Sequence, residues 1–368
     1  MRVWNERAPA VRAAIPWKSL QSFGSERLDA LCQAVGFGAG DTRTVRRTFE
    51  RMSDSWGHRP LGEKPAWRSD ITDDHTPFEL SLAMEEGQPE VRFLLEAQGQ
   101  PTTLRSSWEA GLALNERLRR ELGVSLERFE RVRALFEPVD ARARFGLWHA
   151  VCVVPGGAPT FKVYLNPFAR GPEGARALVR EALERLGCAE TWHVLSTRAM
   201  RRGCGDTPVY FSLDLSSHRA ARIKVYLSHP EALAEELEDV MALGREYVPG
   251  EARDFCQQLQ GTPGSFTGAR STLTCLAFTS DEPGRPSSVT LHFPIRCHAA
   301  HDADALRRIR PLLDTASRGL LERAVAALAR RPLEDGVGLI QWVSLRRQGG
   351  GRRATFYLAT EAYSGAHP

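Results

Sequence analysis

The sequence predicts an α+β fold in which a closed, ten-stranded antiparallel β-barrel is surrounded by helices. Five β-hairpins recur along its 368 residues. Their first strands begin near residues 78, 146, 209, 273 and 337, in steps of 68, 63, 64 and 64. Amphipathic helices fill the intervals, so one hairpin and its helices recur about every 65 residues, the mark of a repeating or closed architecture. Ten strands in an open sheet would expose two edges to aggregation, and closing the barrel removes both.

Each hairpin is a pair of β-rich runs around a Gly-, Pro- or Asp-rich turn. The first joins Phe78–Glu85 to Val91–Ala97, and the second joins Gly146–Val154 to Thr160–Asn166. Val209–Leu215 with Ala221–Ser228 forms the third, and Leu273–Ser280 with Ser288–Ile295 the fourth. The last pairs Val337–Arg346 with Arg353–Thr360. Among the helices, Pro172 opens one whose apolar face is Ala175, Leu178, Val179, Ala182, Leu183 and Leu186, and Gly187 closes it. Ser125 caps another bearing Phe129, Val132 and Phe136. Pro230–Leu243, Asp302–Ala316 and Gly319–Arg330 are similar, with Pro311 expected to break its helix. Glu26–Val35 and Thr42–Met52 form a further pair. Residues 1–23 read as an N-terminal extension and 24–368 as a single domain.

Composition excludes several classes. The net charge is +4, and no long Lys/Arg block suggests nucleic acid as a partner. No apolar run is long enough to span a membrane, and residues 1–20 lack the apolar stretch of a secretory signal, so a cytoplasmic location is expected. The seven cysteines are scattered and read as reduced thiols. No H-E-x-x-H or other zinc spacing occurs, so no metal site is expected.

Strand parity indicates what the barrel holds. Outward residues must be apolar to meet the helices, so the opposite parity faces the lumen. In Arg222-Ile-Lys224-Val-Tyr226, the residues Ile223 and Val225 take the helix side, which directs Arg222, Lys224 and Tyr226 inward. Lys162 and Tyr164 follow by the same logic, and the first hairpin contributes Glu79 and Arg92. For one strand alone, the solvated face of an exposed sheet is the competing explanation. The same Lys-x-Tyr pair on two separate strands favours a shared lumen. Unit charges about 4 Å apart interact by roughly 4 kcal/mol at an effective dielectric near 20, so such a cluster calls for a multiply charged anion. Diphosphate suits Arg and Lys. No Walker A loop or G-x-G-x-x-G turn is present, and Asp73-Asp74 lacks the third Asp of a magnesium-binding D-D-x-x-D motif. Tyr164, Tyr226 and Tyr357 can donate to diphosphate oxygens while their faces shield a cation. Together these features suit ionisation of an allylic diphosphate, with Glu79 orienting an electron-rich acceptor such as an indole N–H.

The segments Ser69-Asp-Ile-Thr-Asp-Asp-His-Thr-Pro-Phe-Glu79-Leu-Ser81, Lys162-Val-Tyr-Leu-Asn-Pro167, Arg222–Tyr226 and Arg331-Pro-Leu-Glu-Asp-Gly-Val-Gly338 resemble the dimethylallyltryptophan synthase family of aromatic prenyltransferases, in its shorter bacterial branch. The resemblance covers about residues 24 to 363. It implies the ABBA barrel of five α-β-β-α units and transfer of a dimethylallyl group to the indole of L-tryptophan or a tryptophan-derived molecule. Dimethylallyl diphosphate would be the co-substrate, with no magnesium requirement and no other cofactor. By the same resemblance, Glu79 contacts the indole, Arg92, Lys162, Arg222 and Lys224 bind diphosphate, and Tyr164, Tyr226 and Tyr357 form a shield that also reaches the diphosphate. The chain departs from the fungal pattern at Thr290 and His292, which replace Gln and Tyr as expected diphosphate contacts, and at Trp342, which replaces a shield tyrosine. His149 on the third strand is a candidate base for the final proton, with a hydrogen-bonded core histidine as the alternative. Ile71 and Thr72 are candidate acceptor contacts through their carbonyls, with a loop role as the alternative. Trp56, Trp67 and Trp108 read as packing or lid residues. The protein is expected to be a monomer or homodimer acting on small molecules. A phenolic acceptor, a longer prenyl chain, or a non-catalytic polyanion-binding barrel are the rival readings.

Overall fold

The protein is described by a computed structural model covering residues 18–363 apart from 63, 86 and 263. Helices α1 (Leu20–Ala34) and α2 (Ala39–Ser53) precede the hairpin β1 (Phe78–Glu85) and β2 (Gln88–Glu96). Helices α3 (Leu104–Leu122) and α4 (Glu127–Val132) lead to β3 (Leu147–Val153) and β4 (Thr160–Leu165). Next come α5 (Ala175–Arg185), α6 (Ala189–Val194), β5 (Thr207–Asp214) and β6 (Arg222–His229). The fourth unit has α7 (Ala234–Met241), α8 (Glu251–Gln260), β7 (Thr272–Thr279) and β8 (Ser288–Phe293). The chain then forms α9 (Asp302–Ile309), α10 (Thr315–Leu328), β9 (Ile340–Gln348) and β10 (Gly351–Leu358).

Each strand pairs antiparallel with its sequence neighbours, and β1 pairs with β10 to close the barrel, from Leu80 opposite Leu358 to Glu85 opposite Arg353. All five expected hairpins are present. Pro311 ends α9 as expected: Arg310–Leu312 make one 3₁₀ turn, and α10 restarts behind Asp314, whose carboxylate caps Ser317 N at 2.9 Å. That restart lies at Thr315, four residues before the expected Gly319. Gly187, in the left-handed region at φ +75°, follows α5, as a helix-terminating glycine does. Helix α1 begins at Leu20, so residues 20–23, placed in the extension by sequence, form its first turn, with Leu20 and Phe23 buried.

Helices α3, α6 and α8 have no counterpart among the elements read from sequence. In α3, the buried Ser107 and Asn115 interrupt the apolar stripe that marks a helix, although Thr103 and Ser106 form a capping box at its start. The hydrophobic core lies between barrel and helices. Phe49 of α2 meets Phe78 of β1 and Phe93 of β2 edge-on, at 5.2 and 5.4 Å between ring centres. Aromatic side chains this enclosed each contribute about 3 kcal/mol of burial free energy. Gly24 allows the approach of α1, because a Cβ there would lie 2.4 Å from the Phe49 ring. Trp56 and Trp108 belong to this core, so they pack as expected, while Trp67 is half-buried in the loop before β1.

Candidate active site

Strand alternation sorts the barrel side chains into two populations. On β6, Ile223, Val225 and Leu227 enter the core, while Arg222, Lys224 and Tyr226 face the lumen. The lumen has two adjoining chambers. One, at the hairpin-turn end, is lined by Arg92, Lys162, Arg222, Lys224, Arg346 and Arg353, with Glu90 among them. The other, toward the opposite end, is lined mainly by Glu79, Leu94, Trp148, Tyr164, Tyr210 and Trp342. Tyr226, His292 and Tyr357 line both.

The basic chamber is electrostatically unbalanced. Among the described residues, its six cations pair with Glu90, which meets Arg92 and lies 2.5 Å from Arg353, and with Asp214, 2.8 Å from Arg222. Burial alone would raise the pKa of Glu90, but Arg92, Arg353 and Lys162 outweigh it and hold the carboxyl well below its ordinary range. Burial of Asp214 is likewise outweighed, by Lys224, Arg222 and Lys162. Lys162 Nζ lies 3.1 Å from Cys152 Sγ. Lys224 and Arg346 have no hydrogen-bond or ion-pair partner among the described residues. Burial together with Arg222 and Lys162 pushes the Lys224 ammonium well below its usual pKa. Burial together with Arg353, Arg92 and Arg222 lowers the Arg346 guanidinium to about 10. A site with uncompensated buried cations is organised for an anion carrying several charges.

The second chamber is aromatic with one carboxyl. Glu79, 5% exposed on β1, has no hydrogen-bond or ion-pair partner among the described residues. Burial lifts its pKa to about 8, against a weaker opposing pull from Arg270. Trp148 stacks on Phe145 at 3.9 Å and lies 5.3 Å from the Tyr210 ring. Tyr164 and Tyr226 face each other with their hydroxyls 3.1 Å apart. Tyr226, His292 and Tyr357 continue the series, at 5.7 and 5.6 Å between successive ring centres. This aromatic wall stands where the two chambers meet. At the outer rim, Arg270 is 2.8 Å from Asp73 and 3.6 Å from Asp70.

Most residues singled out in the sequence converge here. Arg92, Lys162, Arg222, Lys224, Tyr226, Thr290, His292 and Tyr357 line the basic chamber, and Glu79, Ile71 and Trp342 line the aromatic one. Three expectations are corrected. His149 points outward, because Trp148 takes the lumen-facing position on β3. Its Nε2 is 2.9 Å from Asn115 Oδ1 on α3, and burial lowers its pKa to about 3. It is a core residue. Thr72 does not reach the lumen: its hydroxyl donates to Asp74 Oδ1 at 2.7 Å and to the Thr76 carbonyl at 3.0 Å, and its own carbonyl accepts from His75 N. Tyr164 lines the aromatic chamber and adjoins the basic one through its hydrogen bond to Tyr226. Replacing His149 with Gln should leave turnover at the wild-type level and lower stability by about 1 kcal/mol, read by denaturant unfolding. A large loss of activity in a stably folded variant would contradict its core placement.

The structure also adds residues. Arg346 and Arg353 share lumen parity with Trp342 and Tyr357 on the same two strands, so alternation alone could have identified them. Tyr210 stands beside a break in the β5–β6 register, and Gln341 beside one between β9 and β10. The second break, opposite Tyr357 and Leu358, brings adjacent Gln341 and Trp342 into one chamber, an arrangement strict alternation does not produce.

A closed barrel of repeated α-β-β-α units, with a cation-rich chamber opening onto an aromatic one, defines the ABBA class of prenyltransferase. The family model described as tryptophan dimethylallyltransferase matches residues 50–324, and the chain belongs to this family. Among solved structures, the chain is similar to 6-dimethylallyltryptophan synthase from Micromonospora olivasterospora in complex with DMASPP and Trp. The identity is 34% and the TM-score 0.86, covering 94% of this chain and 98% of that one. It is also similar to 5-dimethylallyltryptophan synthase from Streptomyces coelicolor, at 33% identity and a TM-score of 0.85, covering 94% and 99%. AnaPT from Neosartorya fischeri, 15% identical with a TM-score of 0.77 over 93% of this chain and 94% of that one, shares the fold.

Proposed function

We propose that this protein transfers a dimethylallyl group from dimethylallyl diphosphate to the indole ring of L-tryptophan or a tryptophan-derived small molecule. The observation that carries this is the contact between a chamber with unpaired cations and an aromatic chamber whose floor bears Glu79. Diphosphate occupies the first chamber, where Arg92, Lys162, Arg222, Lys224, Arg346 and Arg353 offset the charge released as its carbon–oxygen bond breaks. Tyr226, Tyr357 and Tyr164 shield the allylic cation, and their closed packing limits its capture by water. The indole lies between Trp148 and the tyrosine wall and donates its N–H to Glu79, which fixes the ring carbon facing the cation. Attack forms the carbon–carbon bond, and loss of the ring proton restores aromaticity.

Among the described residues, no group of three or more His, Cys, Asp or Glu side chains is arranged to hold a metal ion. No helix among them is long and apolar enough to cross a membrane. Because side-chain cations can meet the diphosphate charge, activity should persist in excess EDTA. Incubation with dimethylallyl diphosphate and L-tryptophan, with and without EDTA, should give the singly prenylated product by mass spectrometry in both cases. Absence of product with every indole offered would overturn the assignment, and loss only with EDTA would require a metal in the diphosphate chamber.

A further inference from the structure

With His149 in the core, the group that removes the ring proton must lie elsewhere. Prenyl transfer joins a carbon held in one chamber to a carbon held in the other, so the new bond forms at their boundary. Three side chains line both chambers: Tyr226, His292 and Tyr357. Burial raises both tyrosines above their ordinary pKa, so each keeps its own proton and offers only a weakly basic phenol oxygen. His292 is 8% exposed, and neither of its ring nitrogens has a hydrogen-bond partner among the described residues. Its Nε2 is buried and without a partner, at the boundary of the two chambers.

We infer that His292 is the catalytic base that takes the proton from the prenylated ring carbon. This rests on the prenyl-transfer reading above. In the step, the C–H bond at the attacked carbon breaks, its electron pair returns to the ring, and the proton forms an N–H bond on the imidazole. The diphosphate released into the adjoining chamber then accepts that proton, and the histidine returns to its neutral form. Burial, with Lys224, Arg92 and Arg346 nearby, lowers the His292 pKa to about 3, so the free imidazole enters the cycle unprotonated. A base this weak suffices against a cationic, dearomatised ring, and the negative charge released next door stabilises the imidazolium. Of the two carboxyls in the aromatic chamber, Asp70 is 3.6 Å from Arg270, and Glu79 is engaged by the indole N–H in that reading.

The test uses ring-perdeuterated tryptophan. In the wild-type enzyme, deprotonation follows the slow ionisation and bond-forming steps, so kcat should show no primary isotope effect. His292→Phe and His292→Gln should each lower kcat about 100-fold, and a primary isotope effect should emerge as proton removal becomes rate-limiting. Circular dichroism and thermal melts would check that each variant is folded, and Gln conserves polarity should Phe fail to fold. Folded variants that turn over without an isotope effect overturn the assignment even if slow, because the slow step is then ionisation. A wild-type enzyme that prenylates no indole overturns the underlying reading and this assignment together. An active wild-type enzyme with isotope-silent variants overturns this assignment alone.

Discussion

Glu79→Gln is expected to reduce kcat with tryptophan by about 100- to 1,000-fold while the protein remains folded. Gln keeps the size of the side chain and an oxygen that accepts the indole N–H. It cannot supply the negative charge that stabilises the indole as positive charge develops during attack. The free wild-type carboxyl is held near pKa 8 by burial, and the developing cation favours its ionised form. Stability should change in the opposite direction. A carboxyl whose folded pKa lies above its ordinary value of 4.5 binds more protons folded than unfolded, so stability falls as pH rises from about 4.5 to about 8. The variant removes that loss and should melt at least as high as the wild type at neutral pH. Product formation under saturating substrates, with thermal melts at two pH values, checks both expectations; turnover near wild type would remove Glu79 from the reaction.

Lys224→Met and Arg346→Met should each weaken binding of inorganic diphosphate by about 10- to 100-fold, the worth of a charge-assisted hydrogen bond. Neither cation has a partner among the described residues, so in the empty barrel each brings desolvation cost and repulsion from its neighbours. Lys224→Met should therefore raise the melting temperature of the ligand-free protein while lowering affinity. Calorimetric titration and thermal melts of the same samples would report both. Unchanged diphosphate affinity in both variants would show that neither cation meets the diphosphate. This opposition of stability and affinity is the expected signature of a cluster kept for a ligand.

The barrel was legible in the sequence because outward parity is enforced strand by strand. A polar residue on the helix side would be buried without partners, so apolar alternation records direction. Ile223 and Val225 betray Arg222, Lys224 and Tyr226 in this way. His149 broke the inference because it is a polar residue on the outward face. Asn115 meets its Nε2 from α3, a helix whose own apolar pattern the same Asn115 interrupts. Each residue hid the other, and only the folded arrangement shows the pair. The register break between β9 and β10 was equally hidden, since it is fixed by contacts between strands and leaves no composition signal. Arg346 and Arg353 lie within reach of parity, on two strands whose lumen positions Trp342 and Tyr357 already mark.

The pairing of β1 with β10 also sets a temporal order. Leu80 and Leu358 are direct partners at opposite ends of the domain, so the seam closes only after nearly the whole domain has left the ribosome. Until then β1 presents an unpaired edge, and contacts of this sequence separation form slowly. Tyr357 and Arg353 arrive on the last strand, so the catalytic chamber has no earlier, partly active form. A nascent chain is at its most aggregation-prone just before completion. A chaperone that holds the β1 edge through that interval would keep it from pairing with another chain.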